Sequence, residues 1–245
     1  MLFLLRRWLP IALLASVMAF LISSSSGLAE EDSTPRPLAR AVELHKARKF
    51  DQALKSVDEF IATNPKHAEF GNSHLLRGKI LLEAGRTRMS RVSAVNGNES
   101  KQAVRKKART EFESAHASLL IARKLLLAKQ MVFFHEKLSK ERQLEIRKFA
   151  VRSIRCQLDV ALALYETAGT YESVKDEFST TMRAASKEFE KIHSSYRSQI
   201  GGLYARMWQG RCFHQLGEVQ KALGIYNELL GHHGASKSRA SEHSG

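Results

Sequence analysis

The sequence predicts an all-α protein in which helical hairpins flank a bundle of long helices. Three observations point to this fold class. Hydrophobic residues make up 43% of the 245 residues, whereas prolines, which interrupt helices, number only four. Residues 98–168 contain neither glycine nor proline. Apolar residues recur every three to four positions along most of the chain after residue 37, which is the spacing of one buried helix face.

The first 29 residues predict an export signal. Arg6 and Arg7 precede an apolar run from Trp8 to Ile22, and serines and small residues follow as far as Ala29. We expect cleavage after Ala29, with residues 30–37 forming a charged, proline-containing tether. An uncleaved anchor in the inner membrane is the alternative, although an apolar run of fifteen residues that contains Pro10 is short for a membrane span, which needs roughly 20. In both cases the arginines place the body of the protein outside the cytoplasm, in the periplasm or extracellular space.

The clearest helical hairpin lies in residues 201–230. Two helical patterns meet there at Leu216-Gly217-Glu218. Because glycine readily adopts the left-handed conformation that ends a helix, we expect the turn at Gly217. Gly210 and Ala222 lack bulk and would let the two helices approach closely. The full spacing reads Arg206-x2-Gln209-Gly210-x2-Phe213, then Ala222-x3-Tyr226.

Residues 38–85 contain a second copy of this spacing and the start of a third. The second copy reads Ala41-x2-Leu44, then Ala53-x3-Val57, then Pro65, and its small residues are twelve positions apart, as Gly210 and Ala222 are. The third reads Gly78-x2-Leu81 with Gly85 seven positions after Gly78, and its partner, Ala108-x3-Phe112, is delayed by an insertion. The predicted helices are Leu38 to Lys49, Asp51 to Thr63 with Asp51 as N-cap, and Ala68 to Ala84 ending at Gly85.

These spacings resemble the tetratricopeptide repeat, a pair of antiparallel helices whose copies stack into an α-solenoid. The resemblance covers residues 38–84 and 203–230. It implies that the first helix of each pair lines a groove that binds proteins or peptides. It also identifies outward-facing candidates for partner binding on those helices: Arg40, His45, Arg48, Asn72, Arg77, Arg206 and Gln209. Their basic members would suit an acidic partner.

Between the repeats, residues 86–100 predict a basic loop and residues 101–200 a long-helix, coiled-coil-like bundle. The bundle would contain three helices, with a break near Ser139-Lys140 and the third helix from about Tyr171 to Gln199. The apolar stripes predicted to form its core include Leu144, Val151 and Val174. The basic residues in and after the loop predict either an anion-docking surface or a solvated insertion: Arg86, Arg88, Arg91, Lys101, Arg105, Lys106, Lys107 and Arg109. Residues 231–245 are polar and rich in glycine and serine, so we expect disorder there.

The sequence shows no convincing active site. Phosphate-binding glycine loops, nucleophile elbows and zinc-binding motifs are missing from it. His232, His233 and His243 lie in the polar tail, where no fixed metal geometry is expected. Cys156 and Cys212 fall within apolar helical patterns, so they are either buried free thiols or a disulfide. We therefore expect no catalysis, no cofactor and no metal.

The net charge of +14 favours acidic partners over basic ones. Export makes nucleic acid an unsuitable partner, and it leaves acidic proteins, anionic lipids and wall polymers. The sequence thus predicts a non-catalytic scaffold or adaptor for protein association in the cell envelope. Two alternatives remain open, namely a structural protein whose long helices self-associate and a basic surface that binds anionic lipid or wall polymer. Whether the sequence is a fragment of a longer repeat protein is also open.

Overall fold

The structure, a computed structural model, describes residues 34–132 and 139–241, and every regular element within them is helical. The predicted all-α class is therefore confirmed. A short 3-10 turn, Val92–Ala94, lies between the third and fourth helices. The eight helices are α1 (Arg36–Lys46), α2 (Phe50–Thr63), α3 (Phe70–Met89), α4 (Asn98–Val132), α5 (Lys140–Gly169), α6 (Asp176–Ser195), α7 (Ile200–Gln215) and α8 (Val219–Ser241).

The helices pack in chain order, each against the next, from α1 to α8. Contacts also join helices two apart, and the more extensive of these are α1 with α3, α3 with α5, and α5 with α7. These four are called the odd helices below. They lie side by side, so side chains on α1, α3, α5 and α7 form one continuous surface.

Three apolar clusters run along this arrangement. The first joins α1 and α2 to Ile80 of α3, the second joins α3, α4 and α5, and the third joins α5, α6 and α7. The core of the second includes Phe112 and Leu119, both fully buried on α4. Because α3 and α5 each contribute to two clusters, the hydrophobic core is continuous from α1 to α7.

The first and last hairpins turn in the same way. Gly217 has φ +78°, its amide donates to His214 O, and the amide of Glu218 donates to Phe213 O. This pair of hydrogen bonds is a Schellman motif, which ends a helix at a left-handed residue. In the first hairpin Arg48 takes the same place with φ +57°, and the amides of Arg48 and Lys49 donate to His45 O and Leu44 O. The turn predicted at Gly217 is present.

Close approach of α3 and α4 depends on two glycines. A Cβ built on Gly78 would lie 2.5 Å from Leu119 Cγ, and one built on Gly85 would lie 2.5 Å from Phe112 Cε1. Gly85 is thus an internal residue of α3, not the residue that ends it, and that prediction was wrong. The ring of Phe112 needs the space that a side chain at position 85 would fill, and α3 continues for another turn to Met89.

Several helix boundaries differ from the predicted ones. Lys49 is the N-cap residue of α2, and Asp51 lies in the first turn of that helix instead of capping it. The long third helix of the bundle is shorter than predicted, because α6 begins at Asp176 and ends at Ser195. The break predicted near Ser139 is present, since α5 begins at Lys140 and Ser139 Oγ accepts a hydrogen bond from the amide of Arg142 at 3.3 Å.

Part of the predicted bundle core is exposed to solvent. Leu144 and Val151 on α5 are 54% and 66% exposed, and Val174, in the turn between α5 and α6, is 86% exposed. For the two α5 residues the reason is length: α4 has 35 residues and α5 has 30, whereas α3 and α6 have 20 each, so the first turns of α5 extend past the helices that would cover them. Val174 is exposed because it lies in the turn at the other end of α5, outside any helix.

The remaining predictions concern the two ends of the chain, namely the export signal, the tether and the disordered tail. The predicted signal and all but residues 34–37 of the predicted tether lie outside the described residues. Within the part that the structure describes, no helix combines the length and the apolar character needed to cross a bilayer. Near the other end α8 continues to Ser241, through most of the segment for which the sequence predicts disorder.

Candidate functional site

The surface formed by α1, α3, α5 and α7, called the odd-helix face, is held together by pairs of polar and aromatic side chains. His45 Nε2 of α1 lies 3.0 Å from Glu83 Oε2 of α3. Arg86 Nε of α3 donates to Glu166 Oε1 of α5 at 2.7 Å. Each pair bridges two neighbouring odd helices, so the face has fixed rather than freely moving charges along its length.

The contact of α5 with α7 on this face is aromatic. The rings of Tyr165 and Trp208 meet edge to face with their centroids 5.0 Å apart. The guanidinium of Arg211 lies over the Trp208 ring, 4.5 Å from its centroid, and its positive charge lowers the pKa of Tyr165 against the effect of burial. Burial raises the pKa of Tyr165 to about 12, so its hydroxyl stays protonated. This end of the face presents a flat ring system with an arginine on it, a combination common at binding surfaces.

The centre of the face contains a partly buried charge cluster. Lys79 of α3 interacts electrostatically with Asp159, Arg155 and Arg152 of α5. Burial lowers the pKa of Lys79, and the two arginines lower it further, while the carboxylate of Asp159 opposes both. Burial also raises the pKa of Asp159, against the effect of Lys79, Arg155 and Arg86. Cations outnumber the carboxylate here, and Arg152 and Arg155 are exposed.

Buried polar atoms without a hydrogen-bond partner concentrate on the odd helices. Among the side chains that the structure describes they are His74 Nδ1, Ser153 Oγ, Asp159 Oδ2 and Trp208 Nε1, whereas His45 Nε2 contacts the Glu83 carboxylate. These four atoms belong to α3, α5 or α7. An unpaired buried polar group costs about 1–3 kcal/mol, so such groups are few in native proteins and call for an explanation.

Most of the partner-binding residues predicted on the first helices of the repeats contact other residues of the same chain. Arg77 donates to Asp58 Oδ1 at 2.6 Å and to Ser118 Oγ at 2.9 Å, and it thereby joins α2, α3 and α4. Arg206 pairs with Glu228 of α8 and donates to Gln209 Oε1. Gln209 itself is only 3% exposed. These side chains stabilise the packing of the helices.

The other candidates have different surroundings. Arg48 donates to Thr87 Oγ1 at 2.9 Å, and Asn72 donates to Glu69 Oε2 at 2.7 Å. Arg40 is exposed on α1. His45 belongs to the odd-helix face through Glu83, and its hydrogen bond is the largest cause of the lowered pKa of that carboxyl.

Sequence reasoning did not select Lys79, Asp159 or Trp208. A signal for Asp159 is visible in the chain, because it is a lone charge within an apolar run, between Leu158 and Val160, whereas Lys79 lies only two positions after Arg77. A single ionisable residue on an otherwise buried helix face indicates either a partner inside the fold or a function.

The predicted basic segment is divided into parts with different roles. Arg86 and Arg88 form ion pairs with Glu166 and Glu111, at 2.7 and 2.6 Å, so their charges are balanced. Arg109 packs against the turn between α5 and α6, with its guanidinium over the ring of Tyr171, 3.6 Å from the centroid. The other five cations, which lie at positions 91 to 107, have no ion-pair partner among the described residues: Arg91, Lys101, Arg105, Lys106 and Lys107.

The two cysteines are buried free thiols. Cys156 belongs to the cluster of α3, α4 and α5, and Cys212 to the cluster of α5, α6 and α7. Burial raises the pKa of each thiol to about 12. Of the two predicted states of Cys156 and Cys212, the buried free thiols are therefore confirmed and the disulfide is not. No group of three or more potential metal ligands comes together within the described residues.

Comparison with known proteins gives no match, either to a protein-family model or to a curated protein sequence.

Proposed function

We propose that this protein is a non-catalytic interaction scaffold that resembles tetratricopeptide-repeat proteins and binds a protein or peptide partner on the odd-helix face. The observation that carries the proposal is the excess of positive charge at the centre of this face. Arg152 and Arg155 are exposed there beside the partly buried Lys79, and Asp159 supplies the opposing carboxylate. An acidic group of a partner would balance this excess on binding.

The repeat-like organisation is part of the same proposal. Ala41 with Ala53 and Gly210 with Ala222 are buried pairs twelve residues apart. The two hairpins end their first helices with the same Schellman turn seven residues after the first small residue, at Arg48 and at Gly217. Contacts between successive odd helices are what a stack of such pairs requires, and in a solenoid these helices line the inner surface. The α3–α4 and α5–α6 pairs then act as lengthened repeats.

The partner that suits the centre of this face is acidic. Arg152 and Arg155 are exposed there, and Lys79 lies beside them. A carboxylate brought to this point would meet several cations in a partly desolvated setting, where charge-assisted hydrogen bonds are strongest. The Trp208 ring with Arg211 provides an adjacent site for an aromatic or apolar residue of the same partner.

The test uses two charge-reversed variants with equal change in net charge. One is Arg152→Glu/Arg155→Glu on the odd-helix face, and the control is Lys101→Glu/Lys107→Glu on α4. Immobilised wild type and both variants are used to capture envelope proteins at about 0.15 M and about 0.5 M salt, because screening separates generic from specific attraction. We expect a discrete partner that survives the higher salt with the wild type and the control and whose affinity drops about tenfold or more for the first variant.

Two results would contradict the scaffold proposal. Either no partner survives the higher salt, or both variants lose the partner to the same degree. In the second case the attraction depends on total positive charge and not on the odd-helix face.

Self-association is a second candidate, and exposed apolar residues on α8 favour it. Val219, Leu223 and Leu230 are 48%, 47% and 67% exposed and lie on one side of the helix with Tyr226. A coiled-coil seam uses this alternating spacing. Sedimentation equilibrium over a range of concentrations tests the candidate, and Leu223→Lys/Leu230→Lys should abolish any dimer, whereas Val174→Lys should not. A monomer at all concentrations would exclude it.

A further inference from the structure

A second surface lies away from the odd-helix face, between the start of α4 and the turn that joins α5 to α6. A cavity of about 380 Å³ opens there. That volume falls in the range of small-molecule sites. Its wall on α4 includes Arg105, Lys106 and Arg109, and its wall on the turn includes Thr170, Tyr171 and Lys175. These six residues are called the basic pocket.

The wall of the basic pocket is preorganised. Arg109 Nε donates to Thr170 Oγ1 at 2.9 Å and its terminal nitrogen donates to Thr170 O at 3.3 Å. Thr170 is 1% exposed and its own hydroxyl donates to Thr167 O. The ring of Tyr171 packs against the face of the guanidinium, whose Cζ lies 3.6 Å from the ring centroid. Arg109 is therefore held in one orientation, and its Nη1 forms no hydrogen bond with another described residue. A fixed donor loses less conformational entropy on binding than a mobile one.

The charges of the pocket are unpaired. Arg105, Lys106 and Lys175 have no ion-pair partner within residues 34–132 and 139–241, so their ammonium and guanidinium groups remain available. Glu172 and Glu177 also line the cavity and reduce the excess of positive charge without removing it. Two arginines and two lysines converge here, and phosphate, with several acceptor oxygens and up to two negative charges, matches that donor set better than a single carboxylate does.

We propose that the basic pocket binds a phosphoryl group, carried either by a small soluble ester or by a lipid headgroup. The pocket is built from α4 and the α5–α6 turn, so this proposal is independent of partner binding on the odd-helix face. Arg109 provides the fixed fork, and Arg105, Lys106 and Lys175 provide the surrounding charge.

The full-length protein is titrated with glycerol 3-phosphate at constant ionic strength, and glycerol serves as the control ligand. Isothermal titration calorimetry or amide chemical shifts of the pocket residues give the dissociation constant. The pocket variant is Arg105→Ala/Lys106→Ala, and the matched control is Lys101→Ala/Lys107→Ala, which removes the same charge from α4 outside the pocket lining. We expect saturable binding of glycerol 3-phosphate, weakened about tenfold or more by the pocket variant and less than about twofold by the control.

Vesicles distinguish the two sources of the phosphoryl group. Phosphatidylcholine vesicles with and without phosphatidic acid are sedimented with the protein. Binding that requires phosphatidic acid and that glycerol 3-phosphate displaces would assign a headgroup, and binding of the soluble ester without vesicle binding would assign a soluble ligand. The proposal is overturned if the wild type shows no saturable binding of the ester up to about 10 mM, or if both variants lose affinity equally.

Discussion

The substitution Gly85→Ala tests the packing of α3 on α4. Alanine is favoured over glycine within a helix by about 1 kcal/mol, so the same change at an unhindered position would stabilise the protein. At position 85 the new Cβ would lie 2.5 Å from Phe112 Cε1 and 2.8 Å from Cδ1 and Cζ. Phe112 is fully buried and cannot swing into solvent. Overpacking of this kind costs about 1–3 kcal/mol.

A control on the same helix isolates that cost. Gly71 also faces α4, but a Cβ built there would lie 3.4 Å from the nearest atoms of Leu125, which is ordinary van der Waals contact. Gly71→Ala should therefore be neutral or stabilising by up to about 1 kcal/mol. We expect Gly85→Ala to be less stable than Gly71→Ala by about 1–3 kcal/mol, or by about 2–12 °C in Tm for a chain of this size.

The assay is urea and thermal unfolding followed by circular dichroism at 222 nm, a wavelength that reports helix content. Equal stability of the two variants would refute the close crossing of α3 and α4 at Gly85. So would a Gly85→Ala protein more stable than the wild type, because it would mean that position 85 behaves as an open helical site.

Three further predictions concern the turn, the histidines and the thiols. Gly217→Ala should lower the free energy of unfolding by about 1 kcal/mol through backbone strain alone, because φ is +78° and the added methyl group meets no atom within 4 Å; unchanged urea unfolding would contradict this. Burial lowers the pKa of His74, so the unfolded state binds more protons than the folded state and the free energy of unfolding should fall as pH drops from 7 through about 6.5. His74→Gln should reduce the slope of stability against pH, and a variant with the same slope as the wild type would contradict this prediction. Cys156 and Cys212 should react slowly with a thiol reagent in native buffer and rapidly in urea, and fast stoichiometric reaction of the native protein would contradict their burial.

The sequence predicted those features that short-range physics determines. Gly217 ends α7 because a left-handed residue is needed there and glycine adopts it without strain. The predicted break near Ser139-Lys140 is present, and the Ser139 hydroxyl stabilises it by accepting from the amide of Arg142, three residues later. Each of these depends on a few consecutive residues. Arg48 shows the limit of such reasoning: the sequence assigned it to partner binding, whereas its φ of +57° places it in the left-handed position that Gly217 occupies in the last hairpin.

The features that the sequence missed depend on which helix lies opposite. Gly85 has the same spacing from Gly78 as Gly217 has from Gly210, but the lengthened α3–α4 pair places the ring of Phe112 against it. Val151 lies in an apolar stripe of α5, but the neighbouring helices are too short to cover it. Periodicity predicts which residues share a helix face, and it does not predict how far the next helix extends.

The candidate site shows the same division between local and long-range information. Arg77 and Arg206 are on the helices that the repeat resemblance identified, yet their guanidinium groups bind carboxylates of the adjacent helices. A long basic side chain on a first helix can reach either a partner or the next helix, and the sequence spacing is the same in both cases. Lys79 and Asp159 are eighty positions apart, so no local pattern connects them.

The charges that join helices are balanced, whereas those at the centre of the odd-helix face are not. Arg77, Arg88 and Arg123 form ion pairs with Asp58, Glu111 and Glu188. Around Lys79, by contrast, Arg152 and Arg155 add positive charge and Asp159 supplies the opposing carboxylate. Burial lowers the pKa of Lys79, and the two arginines lower it further, so an added anion would favour the charged form of the lysine. That is the physical reason for proposing an acidic partner at this point of the face.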